Sequence, residues 1–149
     1  MSDKLYQPFL EATRDVFELM LDITDILDRI METFECEDEL DVTIEIVGDF
    51  VGEVIYRFPR KTSLNVVNVM SGMEIQEVDD FVTSAISEIA NIISGNVLTI
   101  LSKDHFNCDI LPPILGAMDD NGSYEIHNTY CLSTAVGDVC LEVRLNPAK

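Results

Sequence analysis

Basic side chains are scarce. The chain of 149 residues holds nine Lys and Arg against 28 Asp and Glu, a formal net charge of −19. Such a surface repels phosphate backbones and anionic lipid, so nucleic-acid and membrane-surface binding are set aside. What remains is plain solubility, or docking on the basic rim of a partner. Histidine is nearly absent too: only His105 and His127 occur, and neither has a Cys or His at ligand spacing. The four cysteines, Cys36, Cys108, Cys131 and Cys140, form no CxxC pair. No metal site is expected from that spacing, and the four read as buried thiols of a reducing compartment. No uninterrupted apolar run reaches the ~20 residues of a membrane helix. Met1-Ser2-Asp3-Lys4 leads into an amphipathic pattern rather than a signal peptide, and a cytoplasmic chain is expected.

Several motifs are missing as well. There is no Walker loop, no GxGxxG and no nucleophile elbow. DDNGSYE invites a calcium reading. Aligning Gly122 with the invariant glycine of an EF-hand loop, however, puts Ala117 first and Asn128 twelfth, where carboxylates are needed. The segment is a turn. Asn121-Gly122-Ser123 matches a glycosylation acceptor, which a cytoplasmic chain leaves unused. Two histidines in a chain of this size need no catalytic reason.

What is present is apolar and periodic. Hydrophobic residues make up 47% of the chain, enough for one core, and a single domain over 1–149 is expected. Pro8 opens a helical pattern through Phe9, Leu10, Ala12, Val16, Phe17, Leu19 and Met20. ITDILDRIMETF keeps helical propensity with a weaker period. Residues 41–59 alternate as two strands, with Gly48-Asp49 and Gly52 marking a hairpin turn. Thr62 or Ser63 is placed to cap a short helix ended by Gly72. Asp79 or Asp80 caps a long one, whose apolar positions include Phe81, Val82, Ala85, Ile86, Ile89, Ile92, Ile93 and Leu98. CDILPPILG is a strand interrupted by its Pro-Pro pair. HNTYCLSTA and DVCLEVRL form a closing hairpin joined near Val136-Gly137. Helices and antiparallel strands are segregated, which makes the fold α+β.

The long helix carries a narrow polar line. Ser84, Glu88, Asn91 and Gly95 follow at i, i+4, i+7 and i+11, on one face. The bland account is a solvated helix edge. Two residue choices count against it. Asn is a poor helix former where Lys, Glu or Gln would serve, and Gly95 costs the helix about 0.5–1 kcal/mol relative to Ala. Both fit a face that something approaches closely. A carboxylate recognises a partner's Lys or Arg, while an amide accepts and donates without titrating. That pair suits holding a water in line with a bond that is already labile, such as the acyl phosphate of a receiver-domain aspartate.

Ser84-x-x-x-Glu88-x-x-Asn91 resembles the signature of the CheC/CheX/FliY chemotaxis phosphatases, and SEIANIISGN resembles its CheX branch. QPFLEATRDVFELM, GDFVGEVIYRFP, CDILPPILG and VGDVCLEVRL extend the likeness over most of the chain; residues 22–40 match least. The resemblance implies a CheC-like fold, with an antiparallel or mixed sheet packed against two long helices in pseudo-symmetric halves. It implies hydrolysis of the aspartyl phosphate of a CheY-like receiver domain. By motif position Glu88 pairs with the receiver's lysine, Asn91 orients the attacking water, and Ser84 and Gly95 support them. No cofactor or metal is expected on this chain; Mg²⁺ belongs to the receiver. A homodimer is expected, and one site per chain, because the first helix offers Glu11-Ala12-Thr13-Arg14 with no Asn. The competing reading is a non-catalytic receiver-binding or dimeric scaffold module of the same fold.

Overall fold

The computed structural model describes residues 6–23, 26–31, 39–116 and 123–148. The first element is α1 (Tyr6–Leu21). Phe9, Leu10, Ala12, Val16, Phe17 and Leu21 are buried, while Gln7, Glu11, Asp15 and Glu18 face outward, as a period of 3.6 requires. Seven strands follow the order β1-β6-β7-β3-β2-β4, with β5 beside β2. They are β1 (Leu27–Met31), β2 (Glu39–Gly48), β3 (Phe50–Pro59), β4 (Cys108–Ile110), β5 (Ile114–Leu115), β6 (Ile126–Thr134) and β7 (Gly137–Pro147). All pairings are antiparallel. Two hairpins, β2–β3 and β6–β7, join where β3 pairs with β7. A helix precedes each hairpin: α1 the first, and α3 (Asp80–Lys103) the second. This is the α+β architecture with two helix-plus-hairpin halves.

The sheet's two faces differ. Val42, Ile44, Val54, Tyr56, Phe58, Leu132, Leu141 and Val143 join the helices in one core. The alternate residues face away. There Glu142 accepts from Arg57 at 2.7 Å and from Arg144 at 2.9 Å, and it meets His127 Nε2 at 2.7 Å. That partnership accounts for His127 without catalysis.

Several expectations change. Leu27–Met31 is a strand, not helix, because it pairs with β6 from Leu27↔Ser133 to Met31↔Thr129; tertiary pairing overrides local propensity. The rest of 22–40 lies partly outside the described residues, as does the turn at 117–122. Gly52 sits inside β3 rather than in the turn. A Cβ there would collide with the Arg144 carbonyl oxygen of β7, so glycine permits the close approach of two strands. The helix α2 (Arg60–Ser71) begins after Pro59 without a side-chain cap. Thr62 and Ser63 lie inside it, donating instead to the carbonyls of Asp138 and Arg60. Gly72 does end it, with φ 70°. Cys131 and Cys140 are not thiols: they are register partners on β6 and β7 and form a buried disulfide. Cys108 is free, and Cys36 lies outside the described residues.

Candidate functional site on the long helix

The 24 residues of α3 start at a firm cap: Asp79 Oδ1 accepts from the Val82 amide at 3.1 Å. Asp80 in the first turn and Lys103 in the last complement the helix dipole. Val82, Ile86, Ile89, Ala90, Ile93, Val97 and Leu101 are buried against the sheet and α1. By length and composition alone this helix is apolar enough to cross a membrane. Here its apolar face is occupied by the core.

The polar line lies on the opposite side. Ser84 and Glu88 are exposed; Asn91 and Gly95 are half-buried, beside the groove that α3 makes with α1. The structure thus puts the four on one open helix face. One turn separates Glu88 from Asn91, placing their Cβ atoms about 5–6 Å apart. Among the described residues neither side chain has a hydrogen-bond or ion-pair partner. A Cβ built at Gly95 meets nothing within 4 Å, so the fold itself does not demand glycine there. A buried polar contact ties the helix to the sheet, Tyr56 Oη to Ser94 Oγ at 2.8 Å.

Beyond Gly95 the face runs into a groove between α1 and α3, bordered by Glu11, Asp15, Leu19, Asn96 and Ile100. On α1 itself, Ala12 and Thr13 are buried, and Thr13 Oγ1 donates to the Phe9 carbonyl. Among the described residues no three His, Cys, Asp or Glu side chains converge to hold a metal ion.

Phe81 is misplaced by apolar patterning alone. It is one of the helix's apolar positions, yet it is 50% exposed. It precedes Ser84, Glu88 and Asn91 by three, seven and ten residues, and so belongs to the same face as the polar line. That spacing is visible in the sequence, but an apolar residue beside Val82 reads as core.

A single antiparallel sheet with long helices packed in its core is the architecture of a CheC-like α+β domain. The same fold is found in the chemotaxis protein CheX of Desulfovibrio desulfuricans, with TM-score 0.80, 21% identity, and coverage of 96% of this chain and 99% of that one. It is also found in CheX of Borrelia burgdorferi, solved as a CheX–CheY–BeF3–Mg²⁺ complex, with TM-score 0.79, 23% identity, and coverage of 94% and 96%. The family profile described as chemotaxis phosphatase CheX matches residues 41–134, more than half of the chain. The chain belongs to the CheX family. The CheY-P phosphatase CheX of Thermotoga maritima is 36% identical over 80 residues, 53% of this chain and 52% of that protein. The match thus spans about half the length of the curated relative.

Proposed function

We infer that this chain is a protein phosphatase that hydrolyses the aspartyl phosphate of a CheY-type receiver domain. The observation that carries the reading is the pair Glu88 and Asn91, accessible, one helical turn apart and, among the described residues, without partners. Family membership supports the reaction class. The Glu88 carboxylate pairs with the receiver's lysine as a charge-assisted contact. The Asn91 side chain reaches beside the phosphoryl group, and its amide oxygen accepts a hydrogen bond from a water. The water oxygen bonds to phosphorus, the acyl P–O bond breaks, and its electron pair returns to the receiver's carboxylate. The water's proton leaves on inorganic phosphate. Mg²⁺ is held by the receiver and neutralises phosphoryl charge, consistent with the BeF3–Mg²⁺ complex of the Borrelia protein. Ser84 borders the contact, and Gly95 leaves room for it. The protein acts as a homodimer with one site per protomer.

The test compares parent, Asn91→Ala and Glu88→Ala on a phosphorylated CheY-type receiver with Mg²⁺. If orienting the water supplies ~100-fold, or ~2.7 kcal/mol, Asn91→Ala loses that factor in kcat with unfolding unchanged. Glu88→Ala chiefly raises KM. Hydrolysis by Asn91→Ala at the parent rate makes the chain a receiver-binding module instead.

A further inference from the structure

Phe81 presents an aromatic ring on the surface of α3, 50% exposed. Phe9, Phe17, Phe50, Tyr56, Phe58 and Tyr130 are buried. Phe106 and Tyr124 are half-buried. Val82, the next residue, fills the core position. The helix that carries the ring is firmly held there. Val82 N donates to Asp79 Oδ1 at 3.1 Å, and Thr83 N donates to the Asp79 carbonyl at 3.0 Å. A rigid aromatic group presents contact area at little entropic cost.

Its position decides what covers it. At 1.5 Å per residue, Phe81 lies about 10 Å from Glu88 and about 15 Å from Asn91 along α3. A standard interface covers about 800 Å² per partner, a disc of roughly 16 Å radius. A disc of that radius centred on Asn91 extends along α3 as far as Phe81, so the ring lies within reach of a receiver that brings its phosphoryl group there. The net charge of −19 adds a second argument. Long-range attraction to an acidic phosphorylation pocket is unavailable, so affinity has to come from short-range contact.

We propose that Phe81 is the apolar docking anchor for the phosphorylated receiver, seating on an apolar patch beside its phosphorylation pocket. The proposal rests on the phosphatase reading above and assigns that site its source of affinity. Glu88 and Asn91 serve recognition of the lysine and positioning of the water, and Phe81 serves binding.

The test measures binding of a CheY-type receiver loaded with beryllofluoride and Mg²⁺, alongside hydrolysis of the phosphorylated form. Phe81→Ala is expected to weaken binding about tenfold or more and to raise KM in parallel, with kcat at saturation within about twofold of the parent. Phe81→Leu, which keeps apolar bulk, is expected within about threefold of the parent on both scales. Val51→Ala, which trims an exposed apolar side chain of β3, leaves both unchanged. Phe81→Ala binding as tightly as the parent overturns the anchor. If Asn91→Ala has then lost hydrolysis, the phosphatase reading stands alone. A parent that neither binds nor hydrolyses any receiver overturns both.

Discussion

The hydroxyls of Tyr56 and Ser94 meet at 2.8 Å in the fully buried layer between β3 and α3. Ser94 follows Asn91 by one turn, on the side of the helix turned to the sheet. Burial pushes the Tyr56 phenol well above its usual pKa, so the pair stays neutral. Apolar contacts alone let a helix roll over a sheet; this bond is directional. Rolling α3 would orphan two buried hydroxyls at about 1–3 kcal/mol each. Tyr56→Phe and Ser94→Ala should each lower stability, and the double variant should recover part of the loss because no lone hydroxyl remains. If the bond sets the roll of α3, kcat stays low in the double variant. A kcat that recovers along with the thermal midpoint would mean that packing alone aims Asn91.

Gly95 separates stability from use. Open space surrounds the position, so Gly95→Ala should stabilise the helix by about 0.5–1 kcal/mol. The added methyl points toward whatever docks beside Asn91. Hydrolysis should fall through a higher KM while the unfolding midpoint rises. A stabilised variant with parental KM shows that nothing approaches Gly95 closely.

Most of the scaffold was legible because its periods are strong. The helical spacing of Phe9, Ala12, Val16 and Phe17, and the alternation of Val42, Ile44 and Ile46, both mark faces that are buried. The strand β1 was not legible, because Leu27–Met31 becomes extended only by meeting β6 far along the chain. The same holds for Gly52, whose use is an approach to β7, and for the Cys131–Cys140 pair, which strand register brings together. The polar line was visible because Asn91 and Gly95 break helix propensity where nothing local repays the break. Phe81 was hidden because its apolar character agrees with the pattern around it, and only exposure distinguishes it from Val82.

Acid should act on the far face of the sheet. Burial alone would raise the Glu142 pKa, but hydrogen bonds from Arg57, His127 and Arg144 outweigh it and hold the carboxyl at about 2. The folded state then binds fewer protons than the unfolded one between 4.5 and about 2, so this stabilisation, about 3 kcal/mol, is lost as pH falls through that window. Glu39 and Asp41 work in the opposite sense. Burial, with a neighbouring carboxylate, raises both against the pull of Arg57, so mild acid relieves them. Thermal midpoints should peak at mildly acidic pH and fall below about 4.5. Glu142→Gln should be less stable near neutrality and should flatten the acid limb. An equally steep limb in that variant would place the loss elsewhere.

Ionic strength tests the electrostatic side of docking. The chain carries −19 formal charges, and a receiver's phosphorylation pocket is acidic as well. At 0.01 M salt the screening length is about 30 Å, so the whole surface repels an approaching receiver; at 0.15 M it is about 8 Å. The proposed contact from Glu88 to the receiver's lysine would act at hydrogen-bond range and be screened far less than the field it works against. Docking through Phe81 is apolar and is not weakened by salt. Raising ionic strength from about 0.01 to about 0.15 M should therefore increase kcat/KM, while kcat, set by water positioning after docking, stays level. A kcat/KM that falls over that range means that attraction, not repulsion, governs encounter. The receiver would then have to present a basic rim to this acidic helix face, and the affinity assigned to the Phe81 ring would shift to ion pairs around Glu88.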